Sequence, residues 1–139
     1  MPEFPTDAWF QEFIPAINGS AEYAEAAATW EWDVAFQIEA EPDRNVPDDV
    51  WAVLELRRGS CLGGGVVDEE RARRAPFVIS AAYSRWKDVL LGDLDPVRGM
   101  MQGRLKLRGD LPVILRHVRA ANELVHLTET VDTTFPDER

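Results

Sequence analysis

Hydrophobic residues change their spacing several times along this chain, and each change marks an element. Trp9, Phe10, Phe13, Ile14 and Ile17 recur at intervals of three and four, the repeat of a helix with one apolar face, and Thr6 stands ready to cap it. Pro15 falls inside that stretch and predicts a kink or a break. Asn18-Gly19-Ser20 punctuates the chain, and Ser20 opens a second, alanine-rich helix to about Thr29. The period then drops to two. Trp30, Trp32, Val34, Phe36 and Ile38 alternate with Glu31, Asp33, Ala35, Gln37 and Glu39, which predicts a strand with one dry face. Glu41–Asp49 has the composition of a turn. Val50–Arg58 reads as a second strand and hairpin partner of the first, with Trp51 and Val53 marking a covered patch on its otherwise polar face.

The remainder alternates short helices with short strands. Gly59–Ala75 is poorly specified: Gly63-Gly64-Gly65 fits a flexible loop or a bulged strand with Val66 and Val67, followed by a charged stretch from Asp68 to Arg74. Pro76–Ala82 reads as a buried strand. Ser84 is placed to cap a helix reaching Leu91, with Trp86, Val89 and Leu90 inward and Gly92 past its end. Asp95-Pro96 opens a short helix through Met100 and Met101. Arg104, Lys106 and Arg108 alternate with Leu105 and Leu107 as a strand. Gly109 turns the chain and Asp110 caps one long last helix carrying Leu111, Ile114, Leu115, Val118, Ala121 and Val125 as its stripe. From Thr128 the tail is polar and expected to be loose. This order predicts an α+β fold, one mixed and largely antiparallel sheet of about five strands covered by helices. Residues 1–139 are expected to form a single domain, with 1–18 as an N-terminal helix extension and 128–139 as a polar tail.

Composition narrows the chemistry. The chain has 139 residues, with 25 acidic against 15 basic side chains and a net charge of −10. So acidic a surface argues against nucleic acid and against stable membrane insertion or docking on anionic lipid. No stretch approaches the roughly 18 apolar residues of a membrane span. Cys61 is alone, which excludes an internal disulfide and a multi-thiolate metal site and fits a reducing cytoplasm. The acidic start and the closing Phe-Pro-Asp-Glu-Arg match no secretory signal, peroxisomal address or lipidation box, so the chain is expected to be the mature protein. His117 and His126 are nine residues apart, half a turn out of phase on one helix, and read as surface or packing histidines. The glycine run lacks a following Lys-Ser/Thr and is followed by acids, so it does not read as a phosphate loop. No catalytic motif, metal site or cofactor site is expected.

What stands out is apolar material: Trp86, Leu90, Leu91, Leu94, Met100 and Met101 lie close together, and methionine lines adaptable cavities well. Here the segment Pro76–Val125 resembles the sterol carrier protein type 2 family. The carrying features are the aliphatic strand, Trp86-Lys87-Asp88 in a helix ending at Gly92, Asp95-Pro96, and the glycine-framed Gly103-Arg-Leu-Lys-Leu-Arg-Gly109-Asp110 before the last helix. The likeness covers about three quarters of the chain. It implies a non-catalytic lipid carrier whose apolar tunnel, between sheet and helices, takes fatty acid, fatty acyl-coenzyme A, sterol or phospholipid. Inward-facing positions within the matching segment then nominate Phe77, Ile79, Trp86, Leu90, Met100, Met101, Leu105, Leu115 and Val118 as the lining. The missing peroxisomal address and the acidity suggest a prokaryotic cytoplasmic member, for which an acyl chain is a better ligand than a sterol. The competing reading is an interaction module with a filled core, homodimeric through the sheet edge or the Trp51/Val53 face; a third is a small thioester enzyme using Cys61 or a histidine.

Overall fold

The computed structural model describes residues 1–139. Its centre is a five-stranded sheet of β1 (Asp33–Glu39), β2 (Val50–Arg57), β3 (Ser60–Val67), β4 (Phe77–Ala82) and β5 (Lys106–Arg108). The strand order is β3-β2-β1-β4-β5. Only β1 and β4 run parallel; the other three pairs are antiparallel. This is the α+β mixed sheet that the alternating patterns predict. In β1 the alternation sends Val34, Phe36 and Ile38 to one face, in register with Leu54 and Ala52 of β2 and with Phe77, Ile79 and Ala81 of β4.

That face carries the main core. It is covered by α1 (Asp7–Asn18), α2 (Ala21–Ala26), α4 (Tyr83–Leu90), α5 (Pro96–Met101), α6 (Leu111–Leu115) and α7 (Val118–Thr128). The opposite face has a smaller core, where Ala35, Trp51, Val53 and Val78 pack under Ala72 and Ala75 of the α3 (Glu69–Arg73) segment. Arg73 lies over the Trp51 ring at 4.7 Å. The Trp51/Val53 patch is thus covered from within, which removes it as a dimer face.

Several caps act as their sequences predict. The Thr6, Ser20, Asp95 and Asp110 side chains each accept a backbone N–H from the first turn of α1, α2, α5 and α6. Ser84 does not cap α4, because that helix starts one residue earlier, at Tyr83; the Ser84 N–H instead donates to Glu41 at 2.6 Å. Helix α1 runs unbroken through Pro15. The second helix stops at Ala26 rather than near Thr29, and Trp30 and Trp32 precede β1 rather than lying within it.

The glycine run is a strand: Gly64 is pressed against the Val53 carbonyl of β2, and Gly65 admits α1. Gly65 has φ +134°, and a Cβ on it would run into the Asp7 carboxylate and the Gln11 amide. With no side chains in the way, α1 lies along the outer rim of β3. Gln11 donates to the Gly64 carbonyl at 3.0 Å, Asp7 accepts from the Val66 N–H at 2.9 Å, and the Asn18 amide closes both the N–H and the carbonyl of Cys61 at 2.7 and 2.9 Å. Gly109, φ +149°, is likewise required, since a Cβ there would sit 2.8 Å from the Phe77 ring and 2.9 Å from the Pro76 carbonyl.

The expected single last helix is two. In an unbroken helix the Val113 carbonyl would accept the His117 N–H. Here the His117 ring nitrogen Nδ1 sits 2.8 Å from that carbonyl, and the His117 N–H goes one residue short, to Ile114, also at 2.8 Å. A side chain competing for the backbone ladder breaks it at that point.

The tail is not loose. The Thr134 N–H donates to Pro2 and the Phe4 N–H donates to Thr134, both at 3.0 Å, and the Trp9 indole donates to Thr133 at 2.9 Å. Phe135 and Pro136 are buried. Asp137 accepts from the Tyr83 hydroxyl at 2.7 Å and pairs with Lys87 at 3.1 Å, while Arg139 reaches Glu3 at 2.7 Å. Burial alone would raise the Asp137 carboxyl, but the Tyr83 hydroxyl and Lys87 ammonium outweigh it and hold the group below its ordinary range.

Candidate functional site

Between the sheet and its helical cover lies an apolar cavity of about 140 Å³. Its floor is the dry face of the sheet: Val34, Phe36 and Ile38 of β1, Leu54 and Leu56 of β2, and Phe77 and Ile79 of β4. Its roof comes from Trp9, Phe10 and Phe13 of α1, Trp86, Val89 and Leu90 of α4, Met100 of α5, Ile114 of α6, and Ala120, Ala121, Leu124, Val125 and Thr128 of α7. Of 26 lining residues 23 are hydrophobic. The three-and-four spacing along α7 puts one continuous edge of that helix on the cavity, from His117 before its first turn to Thr128 at its last, about 16 Å at 1.5 Å per residue. The space therefore extends along a helix.

The tryptophan indoles and the threonine hydroxyl of the wall are already committed. The indole N–H of Trp9 goes to Thr133, that of Trp30 to the Trp32 carbonyl at 2.8 Å, and that of Trp86 to the Gln37 carbonyl at 2.9 Å. The Thr128 hydroxyl donates to the Val125 carbonyl at 2.6 Å. Burial pushes the Tyr23 phenol well above its ordinary value, so it stays neutral. What the wall presents is hydrocarbon, suited to an aliphatic guest and to little else.

Of the nine nominated positions, Phe77, Ile79, Trp86, Leu90, Met100 and Leu105 stand on the cavity wall. Three do not. Met101 is 62% exposed, because α5 turns its inward face at Met100 and ends one residue later. Leu115 is 41% exposed, because the break after α6 re-phases the stripe. Val118 packs against the core without lining the cavity. The α1 aromatics fall outside the nominated set because they precede the segment with the family likeness, although their own spacing marks them as buried. His117, by its spacing a surface or packing side chain, is half-buried on the cavity wall, whereas His126 is exposed.

Cys61 is buried within β3, off the cavity wall, and burial pushes its thiol up, against thiolate chemistry. No group of three His, Cys, Asp or Glu side chains converges to hold a metal ion. No helix is long and apolar enough to cross a membrane.

Comparison with known proteins fits this geometry. A crystal structure of sterol carrier protein 2 matches with a TM-score of 0.85 at 36% identity, over 93% of this chain and 99% of that one. The solution structure of a conserved hypothetical protein, possibly sterol carrier protein, from Thermus thermophilus matches with a TM-score of 0.85 at 35% identity, over 95% and 92% of the two chains. The apo form of sterol carrier protein 2 from Yarrowia lipolytica shares the fold at 14% identity and a TM-score of 0.59, over 93% and 95%. No curated protein sequence matches. The family model described as the SCP-2 sterol transfer family matches residues 16–121, well over half of the sequence. With that match, a sheet of the same architecture and a hydrocarbon-lined space beneath its helices, the chain belongs to the SCP-2 sterol transfer family, whose class of activity is lipid binding or transfer.

Proposed function

We propose that this protein is a non-catalytic cytoplasmic carrier of single-chain acyl lipids, a fatty acid or the acyl arm of a fatty acyl thioester, acting as one domain. The observation that carries this reading is the cavity: hydrocarbon-walled, and lined by tryptophans whose indole N–H groups are already bonded within the protein. Each methylene withdrawn from water contributes about 0.8 kcal/mol, so an aliphatic tail needs few polar contacts for useful affinity. A volume of about 140 Å³ is what a benzene-sized body occupies, so a full tail enters only as walls move. The half-buried Leu90, Met100, Leu124 and Val125 are the side chains free to do so. Of the nominated positions, Phe77, Ile79, Trp86, Leu90, Met100 and Leu105 are the ones we assign to the tail.

A filled-core interaction module needs an interior without space, and the cavity speaks against it. The direct experiment is extraction of the purified protein followed by mass spectrometry, together with titration of dodecanoate against tryptophan fluorescence. Trp9, Trp30 and Trp86 all face the cavity, so saturable quenching is expected. No co-purified lipid and no saturable signal would overturn the proposal.

A further inference from the structure

The two ends of the cavity along α7 are finished differently. At the near end the His117 ring acts as a stopper. It packs edge-on against Trp30 and Trp32, with centroids 5.1 and 6.3 Å away. Both of its nitrogens are spent within the chain, Nδ1 at 2.8 Å from the Val113 carbonyl and Nε2 at 2.9 Å from the Thr29 hydroxyl. At the far end lies a second cavity, of about 320 Å³. Leu90 and Thr128 stand on the walls of both spaces. The Trp9 indole, on the wall of the first, donates to the Thr133 hydroxyl, on the wall of the second, at 2.9 Å. The two cavities are therefore back to back. Leu90 is half-buried at the last turn of α4, and rotating its side chain breaks no hydrogen bond, so it is the movable part of the partition.

The second cavity differs in kind from the first. Leu91, Val131 and Phe135 give it apolar surface, whereas Thr128, Glu129 and Thr133 bring oxygen to its wall. Leu91 is 53% exposed and Glu129 is exposed, so this space reaches solvent. Its volume falls within the roughly 300–1,000 Å³ of small-molecule sites. A single-chain amphiphile needs such a pair of spaces: a dry one for methylenes and, next to it, one where a polar group keeps its water.

Resting on the carrier reading above, we infer that the second cavity is the head-group site. The cargo lies with its methyl end toward His117 and its polar end past Leu90, among Thr128, Glu129 and Thr133. Glu129 is the one ionisable side chain on that wall and no cation accompanies it, so the head the site takes is uncharged, an ester or a thioester.

The test reads the orientation of monododecanoylglycerol, isotopically labelled at its ester carbonyl or at its terminal methyl, by paramagnetic broadening in NMR. Nitroxides are attached to Thr130→Cys, next to Glu129, and separately to Leu115→Cys, at the His117 end of α7. Both positions are exposed and lie off the walls of both cavities. Cys61 is buried with its thiol pushed up, and stays unlabelled. The nitroxide at position 130 is expected to broaden the carbonyl signal several-fold more than the methyl signal, and the nitroxide at position 115 to reverse that order. If the nitroxide at position 130 broadens the methyl signal more, or both signals alike, the inference falls and the carrier reading stands. The same holds if dodecanoate quenches tryptophan fluorescence saturably and the ester does not. If neither lipid binds, both readings fall.

Discussion

Replacing Ala120 with phenylalanine separates a carrier from a solid-cored module more sharply than any truncation. Ala120 is buried and stands on the cavity wall in the first turn of α7, so a larger side chain there has no route to solvent. The added phenyl ring is a benzene-sized body, and the cavity is about 140 Å³, close to the ~150 Å³ that holds benzene in an apolar protein interior. Burying the ring gains about 1.5–3 kcal/mol, and imperfect fit costs about 1–3 kcal/mol. The two nearly cancel, so the melting temperature should stay within about 4 °C of wild type. Binding should behave differently. In the wild type, dodecanoate at a hundred times its Kd stabilises by about 2.7 kcal/mol, a rise of about 5–10 °C for a domain of this size. Ala120→Phe should remove that rise while its own melting point holds. The assay is thermal unfolding by near-ultraviolet circular dichroism with and without dodecanoate. A variant that still shows the full ligand-induced rise refutes the placement of the tail; a variant that unfolds outright shows that the space was already filled.

Two further outcomes test the framework. Asp137 and Glu3 both hold carboxyls lowered in the folded protein, Asp137 by Tyr83 and Lys87 against the opposing effect of burial, and Glu3 by the Arg139 hydrogen bond. A depressed carboxyl contributes stability above its unfolded value, near 4, and loses it as pH falls through the folded value. The tail should therefore detach below about pH 4, seen as faster hydrogen exchange at the Phe4 and Thr134 amides before global unfolding, and Asp137→Asn should bring that loosening into neutral pH; unchanged exchange would remove the latch. Gly65→Ala combines a φ of +134° with a collision against Asp7 and Gln11, and should cost about 1–3 kcal/mol in urea unfolding; a cost under about 0.5 kcal/mol would show that α1 does not depend on the bare strand.

Much of this molecule is visible in its residue order because much of it is local. The alternation from Val34 to Ile38, the spacing from Trp9 to Ile17, and the caps at Asp95 and Asp110 each express one element's own physics, and each is found in place. The Gly63–Gly65 strand resists reading because its glycines answer to other elements, Gly64 to the β2 backbone at Val53 and Gly65 to α1, some fifty residues earlier. Two helices in place of one follow from a ring nitrogen capturing a backbone carbonyl, an event no periodicity records. That break also explains why Leu115 faces water while His117, a bystander by its spacing, faces the cavity. The tail reads as loose because its polar groups, the Pro136 carbonyl among them, have their partners at Glu3, Asn45, Tyr83 and Lys87, distant in sequence and close in space.

The way α1 seals β3 has a consequence for association. A bare sheet margin is a template on which another polypeptide can lay down a strand, and growth from such a margin is how many sheet proteins fibrillise. Here the margin is closed by side-chain amides and a carboxylate standing in for a sixth strand, most completely at Cys61, where one asparagine satisfies donor and acceptor together. The far margin, β5, is three residues long with a charged side chain at each end. A second copy would have to peel α1 away before it could extend the sheet from β3, and in doing so it would strip Trp9, Phe10 and Phe13 from the cavity wall. Strand addition at the β3 margin and an intact cavity wall are therefore mutually exclusive in this architecture.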